Sequence, residues 1–137
     1  MLRRNLVALL LVAAMPAVAT ETPATDLARK AAADWLVLID SGNLAGSWEQ
    51  AASSFKRTVT TQQWVQASAA VRNPLGTTKQ RQEKTAKFTR TLPGAPDGQY
   101  VLLQFQAAFE NKASAVETVT VALDTDDTWR VAGHFIK

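Results

Sequence analysis

Apolar side chains recur every three or four residues in the first part of the chain and every second residue in the last part, so helices should precede strands. Thr25 or Asp26 is placed to cap a helix carrying Leu27, Ala31, Trp35, Leu38 and Ile39, with Gly42 as its stop. Asn43 starts a second helical stretch that puts Leu44, Trp48, Ala51 or Ala52, and Phe55 on one side. A third, from about Thr61 to Val71, aligns Trp64, Ala67 or Ser68, and Val71, and Asn73-Pro74-Leu75-Gly76 ends it.

After Gly76 the period falls to two. Lys79 to Leu92 alternates only partly and is rich in threonine and charge, the pattern of a strand at a sheet edge; its apolar marks are Ala86, Phe88 and Leu92. Pro93 to Gly98 is the strongest turn. Gln99 to Phe109, Ala115 to Leu123 and Trp129 to Ile136 then read as three further strands, with Val101, Leu103, Phe105, Val119 and Val121 inward. The fold class is α+β: N-terminal helices packed on a curved four-stranded antiparallel sheet, cone or cystatin-like, with room for a cavity between the layers.

Residues 1–19 follow another rule. Arg3 and Arg4, the apolar run from Leu6 to Met15, Pro16, and Ala17-Val18-Ala19 together have the form of a secretory signal peptide cleaved after Ala19. The run is too short for a spanning helix, so no transmembrane segment is expected in the processed chain. Residues 20–25 read as a flexible leader and 26–137 as one domain. Loss of Arg3 and Arg4 lowers the net charge from +3 to +1, which argues against nucleic acid as a partner. The absence of cysteine excludes a disulfide framework, thiolate metal sites, a cysteine nucleophile and the acylated cysteine of a lipoprotein.

Candidate chemistry is sparse. His134 is the only histidine and a weak candidate for a general base; plain alternation sets it beside Arg130, Ala132 and Ile136, opposite Trp129, Val131 and Phe135, on a partly exposed face. Asp40, the other weak catalytic candidate, sits unfavourably at a helix C-terminus. A local turn, a bridge to Arg72 or Arg130, or a place at a pocket mouth would offset that. Trp35, Trp48, Trp64 and Trp129 fall on apolar stripes and read mainly as core. Arg72, Lys79, Arg81, Lys84, Lys87 and Arg90 make the first strand and its approach basic, as a solvated edge or as a surface for an anionic partner. No metal site and no cofactor is expected, because Asp126-Asp127 lacks the spacing of a calcium loop.

The sequence Trp35-Leu36 to Asp40-Ser41-Gly42, with Ser47-Trp48-Glu49, Trp64, Pro74-Leu75-Gly76, Arg81, Leu92-Pro93-Gly94, Pro96-Asp97-Gly98, Tyr100, Glu117-Thr118-Val119 and Trp129-Arg130-Val131-Ala132-Gly133, resembles the bacterial secreted family known as domain of unknown function 4019. The resemblance spans nearly the whole processed chain and implies no activity, cofactor or catalytic residue. The chain has Asp126-Asp127-Thr128 where the family favours Asp-Gly, and His134 where it favours an aromatic residue, which weakens a shared role for this histidine. Helices followed by a sheet are also similar to the nuclear transport factor two-like superfamily, at the level of fold alone.

Two functions follow as expectations. The first is a non-catalytic binding or envelope accessory module, periplasmic or secreted, whose partner would be an envelope protein, an anionic surface or a small ligand. The second is a small-molecule enzyme in which Asp40 or His134 acts as base. The binding candidates are Arg81, Lys84, Tyr100 and Arg130, with Arg130 or Tyr100 orienting an anionic substrate in the enzyme.

Overall fold

A computed structural model describes residues 21–137. The signal segment at 1–19 lies outside the described residues. The elements are α1 (Glu21–Asp40), α2 (Leu44–Glu49), α3 (Ser53–Thr58), α4 (Thr61–Leu75), β1 (Thr78–Thr89), β2 (Tyr100–Phe109), β3 (Lys112–Leu123) and β4 (Trp129–Ile136). The strands form one open antiparallel sheet in the order β1-β2-β3-β4. Helices followed by such a sheet make the expected α+β fold, and no described helix is long and apolar enough to cross a membrane.

α1 begins at Glu21, inside the stretch expected to be a flexible leader. Pro23 falls in the first turn, where a missing N–H is tolerated. The buried face is also rotated from expectation: Ala28, Ala32, Trp35, Leu36 and Ile39 meet the sheet, whereas Leu27 is exposed. Small alanines bring the helix close to Val101, Leu103, Val119, Val121 and Val131, and these side chains pack into the main core; toward β1 a recess of about 440 Å³ remains between Ala33, Val37 and Asp40 of α1 and Arg81, Glu83 and Phe105 of the sheet.

The expected second helix is two helices. At Ala52 the backbone turns extended and its N–H donates to Val131 O (2.8 Å), tying the chain to the edge of β4. α3 restarts with Asp124 as a distant cap, its Oδ2 accepting from the Ser53 N–H and hydroxyl, both at 2.9 Å. The break turns Trp48 out of the core: it is part-buried, with Nε1 donating to Val59 O (2.8 Å) and Lys56 near its ring. Its neighbour Ser47 takes the buried place instead. The Ser47 hydroxyl accepts from Trp64 Nε1 and the Ser47 carbonyl from Trp35 Nε1, both at 2.8 Å.

α4 opens on a capping box between Thr60 and Gln63 and runs past Pro74 to Leu75. Gly76 closes it at φ 74°, and a Cβ there would approach Glu110 Cβ to 2.9 Å. β1 is an edge strand, as its composition suggested.

Candidate functional site

Five charged or titratable side chains converge where the C-terminal ends of α1 and α4 meet the sheet. The pairing Arg81↔Ala107 sets Arg81 on the helix-covered face of β1, and Phe105↔Glu117 does the same for Glu117 on β3. His134 reaches that face through an irregularity. Thr120 pairs with Gly133 but Val121 pairs with Val131, so Ala132 is an extra residue in β4. A bulge of this kind shifts the side-chain phase by one. Trp129, Val131, His134 and Ile136 therefore point inward while Phe135 stands outside, 57% exposed. The half-exposed face expected for His134 assumed unbroken alternation and is corrected by this bulge.

Glu117 is fully buried. Its Oε1 accepts from Arg81 Nε, and its Oε2 lies 2.8 Å from His134 Nε2. The other side of the Arg81 guanidinium makes a bidentate pair with Asp40, Nη1 to Oδ2 at 2.8 Å and Nη2 to Oδ1 at 3.0 Å. Asp40 Oδ1 also accepts from Arg72 Nη2 (3.2 Å) and from the Thr78 hydroxyl (3.0 Å). The result is a continuous chain, Arg72–Asp40–Arg81–Glu117–His134, crossing the domain from α4 to β4.

Burial alone would push both carboxyls up. For Glu117 the hydrogen bonds from His134 and Arg81, with the charge of Arg81, outweigh it and hold the carboxyl below its ordinary 4.5. For Asp40 the Arg81 and Thr78 contacts and the Arg72 charge do the same, below 3.8. Arg81 is driven further up despite its burial, because both carboxylates favour its charged form. Glu117 is thus an ionised acceptor, so the proton shared with His134 belongs to Nε2. The Nδ1 atom has no hydrogen-bond partner among the described residues. The imidazole edge packs against Trp35, with ring centroids 5.2 Å apart.

His134 and Arg72 also line a cleft of about 250 Å³ between α4 and the end of β4, with Trp64, Ala67 and Val71 on one wall and Phe135 and Ile136 on the other. Ser68, on the same helix face, adds a hydroxyl to it. The walls are mostly apolar, and no carboxylate among the described residues lines them.

A family model described as "Protein of unknown function (DUF4019)" matches residues 31–134. The chain belongs to the DUF4019 family. No curated protein and no solved structure matches the chain. The family match includes every member of the charged chain from Asp40 to His134 and says nothing of the nuclear transport factor two-like superfamily.

The other candidates in this DUF4019 domain lie apart. Arg130, at the start of β4, closes the β3–β4 turn by pairing with Asp126 at 2.6 Å and Asp124 at 3.3 Å, and its hydrogen bond holds Asp126 at about 2. It does not meet Asp40; Arg72 does. Tyr100 donates its hydroxyl to Pro96 O (2.5 Å), bracing the β1–β2 turn. Lys84 is exposed on β1. Arg81, counted by its sequence neighbourhood with the solvated basic edge, is instead turned inward and 17% exposed. Among the described residues no three His, Cys, Asp or Glu side chains group to hold a metal, and Arg81 occupies the Glu117 oxygen that His134 leaves free.

Sequence reasoning missed Glu117 as a site residue. Its signal was an acidic residue in the otherwise apolar inward row of β3, two after Ala115, two before Val119 and four before Val121.

Proposed function

We propose that this DUF4019 protein is a periplasmic or secreted, non-catalytic binding module, released by cleavage near Ala19, that holds a small ligand or an envelope partner in the cleft between α4 and β4. The observation that carries the reading is that cleft, mostly apolar in its walls, with Ser68, Arg72 and His134 as its few polar groups. Arg81 pairs with both the buried Glu117 and the part-exposed Asp40, so neither carboxylate is a free base. The exposed Lys84 and Lys87 keep the β1 edge solvated and discourage pairing with a second sheet.

One observation favours an enzyme as the second reading. Glu117 fixes His134 by Nε2, and Ser68 lies in the same cleft. A nucleophile and base are expected within hydrogen-bond reach, and no Ser68–His134 hydrogen bond is present among the described residues. Incubation of the processed protein with periplasmic extract, followed by mass spectrometry of what co-elutes, separates the two. The module predicts a bound molecule recovered unchanged in mass and amount. Time-dependent conversion of that molecule, lost in His134→Gln, would replace the module by the enzyme.

A further inference from the structure

We infer that the cleft between α4 and the end of β4 takes a small aromatic carboxylate, its ring against Trp64 and Phe135 and its carboxylate toward Arg72 and Ser68. The inference rests on the cleft being the binding site and names its ligand class.

Size sets the first limit. A volume of 250 Å³ lies below the roughly 300–1,000 Å³ of drug-sized pockets, so the occupant is a compact molecule and not an extended peptide. The walls set the second. Val71 and Phe135 are among the large hydrophobic side chains left exposed on the described surface, and both stand at this cleft, 51% and 57% exposed. Exposed apolar side chains that cluster around a concavity mark a contact surface. Trp64 is the aromatic at the inner wall, stacked edge-on with Phe55 at 5.0 Å and anchored by Ser47. Its ring is thus fixed before a ligand arrives, which lowers the ordering cost of binding.

The polar groups set the sign of charge. Arg72 and Ser68 can donate, and no carboxylate among the described residues lines the cleft. Asp40 and Glu117, the acids nearest these groups, are each held by Arg81. Arg72 has an unused donor. Its guanidinium lies 5.3 Å over the Phe109 ring and gives Nη2 to Asp40 and Thr78, while Nη1 is buried with no hydrogen-bond partner among the described residues. Leaving a buried donor unpaired is unfavourable, and a ligand carboxylate supplies the acceptor after a small swing of the guanidinium. A cation would meet the charge of Arg72 with no carboxylate among the described lining residues to offset it, and a free phosphate would leave the apolar walls unused.

The test uses the processed protein, titrated with phenylacetate and with its uncharged counterpart phenylacetamide by calorimetry and tryptophan fluorescence. Phenylacetate should bind saturably and about tenfold more tightly than the amide, because the hydrogen bonds to Arg72 become charge-assisted. Arg72→Gln should bring the acid to the level of the amide, with circular dichroism confirming the fold. Ala67→Phe fills the cleft while leaving every residue of the charged chain in place and should remove binding of both. Equal affinity for acid and amide would overturn the carboxylate class while leaving the cleft a binder. No saturable binding, or binding that survives Ala67→Phe, would overturn the site itself. The binding-module reading fails separately, through turnover in the extract experiment.

Discussion

Glu117 Oε2 and His134 Nε2 meet at 2.8 Å because β4 carries one residue more than β3 can pair with. Without the bulge at Ala132, the phase set by Trp129 and Val131 would turn Phe135 inward and His134 out. The bulge thus exchanges a hydrophobic side chain for a histidine at the bottom of the cleft. That histidine closes a chain of charge whose other end, Asp40 and Arg72, fastens the C-terminal ends of α1 and α4 to each other.

Arg81 is structural and Lys84 is not. Arg81→Gln leaves Glu117 buried without its cation, and losing one partner of a buried ion pair costs about 3–5 kcal/mol. Lys84→Gln with Lys87→Gln should change stability by less than about 0.5 kcal/mol, as exposed substitutions do. Urea denaturation of the two variants checks this. Similar midpoints would mean that the network contributes nothing to folding.

Acid should loosen the fold in a defined window. The Glu117 and Asp40 carboxyls titrate lower in the folded chain than in the unfolded one, so the unfolded state takes up protons first. Their stabilisation is complete above the ordinary values of 4.5 and 3.8 and is lost as pH falls through the lowered folded values. Thermal midpoints measured from about pH 6 down to about pH 3 should therefore fall, and less steeply in Glu117→Gln than in the unmodified protein. Parallel slopes would contradict the role of Glu117.

Among the tryptophans, Trp35 should matter most. It is 3% exposed, packs in the main core and donates to Ser47 O. Trp35→Ala should cost about 3–5 kcal/mol. Trp48→Ala should cost clearly less, because its ring lies outside the core cluster. Chemical denaturation of both variants decides the order, and an equal loss would place Trp48 in the core after all.

Much of the fold was legible because periodicity reports it directly. The β4 limits, the Asn43 cap and the edge position of β1 followed from local pattern, and the unfavourable place of Asp40 on its helix called for a partner, of which the bridge to Arg72 was one among several alternatives. The candidate site was less legible because its parts are set by tertiary events. A single bulge at Ala132 reversed the face of His134. The pairing of Ala52 with Val131 split one helix into two and exchanged Trp48 for Ser47 in the interior. Arg81 looked like one cation among several until the register set it beside Glu117 and Asp40.

Processing can be checked by intact mass. Protein recovered from the periplasm should begin at Thr20, one residue before α1, and Ala19→Phe should stall cleavage by blocking a small-residue pocket. Normal processing of that variant would move the site elsewhere.

The most direct test of the binding account is amide chemical-shift mapping of the labelled, processed protein during titration with periplasmic extract. Shifts should concentrate at Trp64, Ala67, Ser68 and Val71 on α4 and at His134, Phe135 and Ile136 on β4. Shifts confined to Lys84, Lys87 and their neighbours on the β1 edge, with the α4–β4 cleft unmoved, would contradict it.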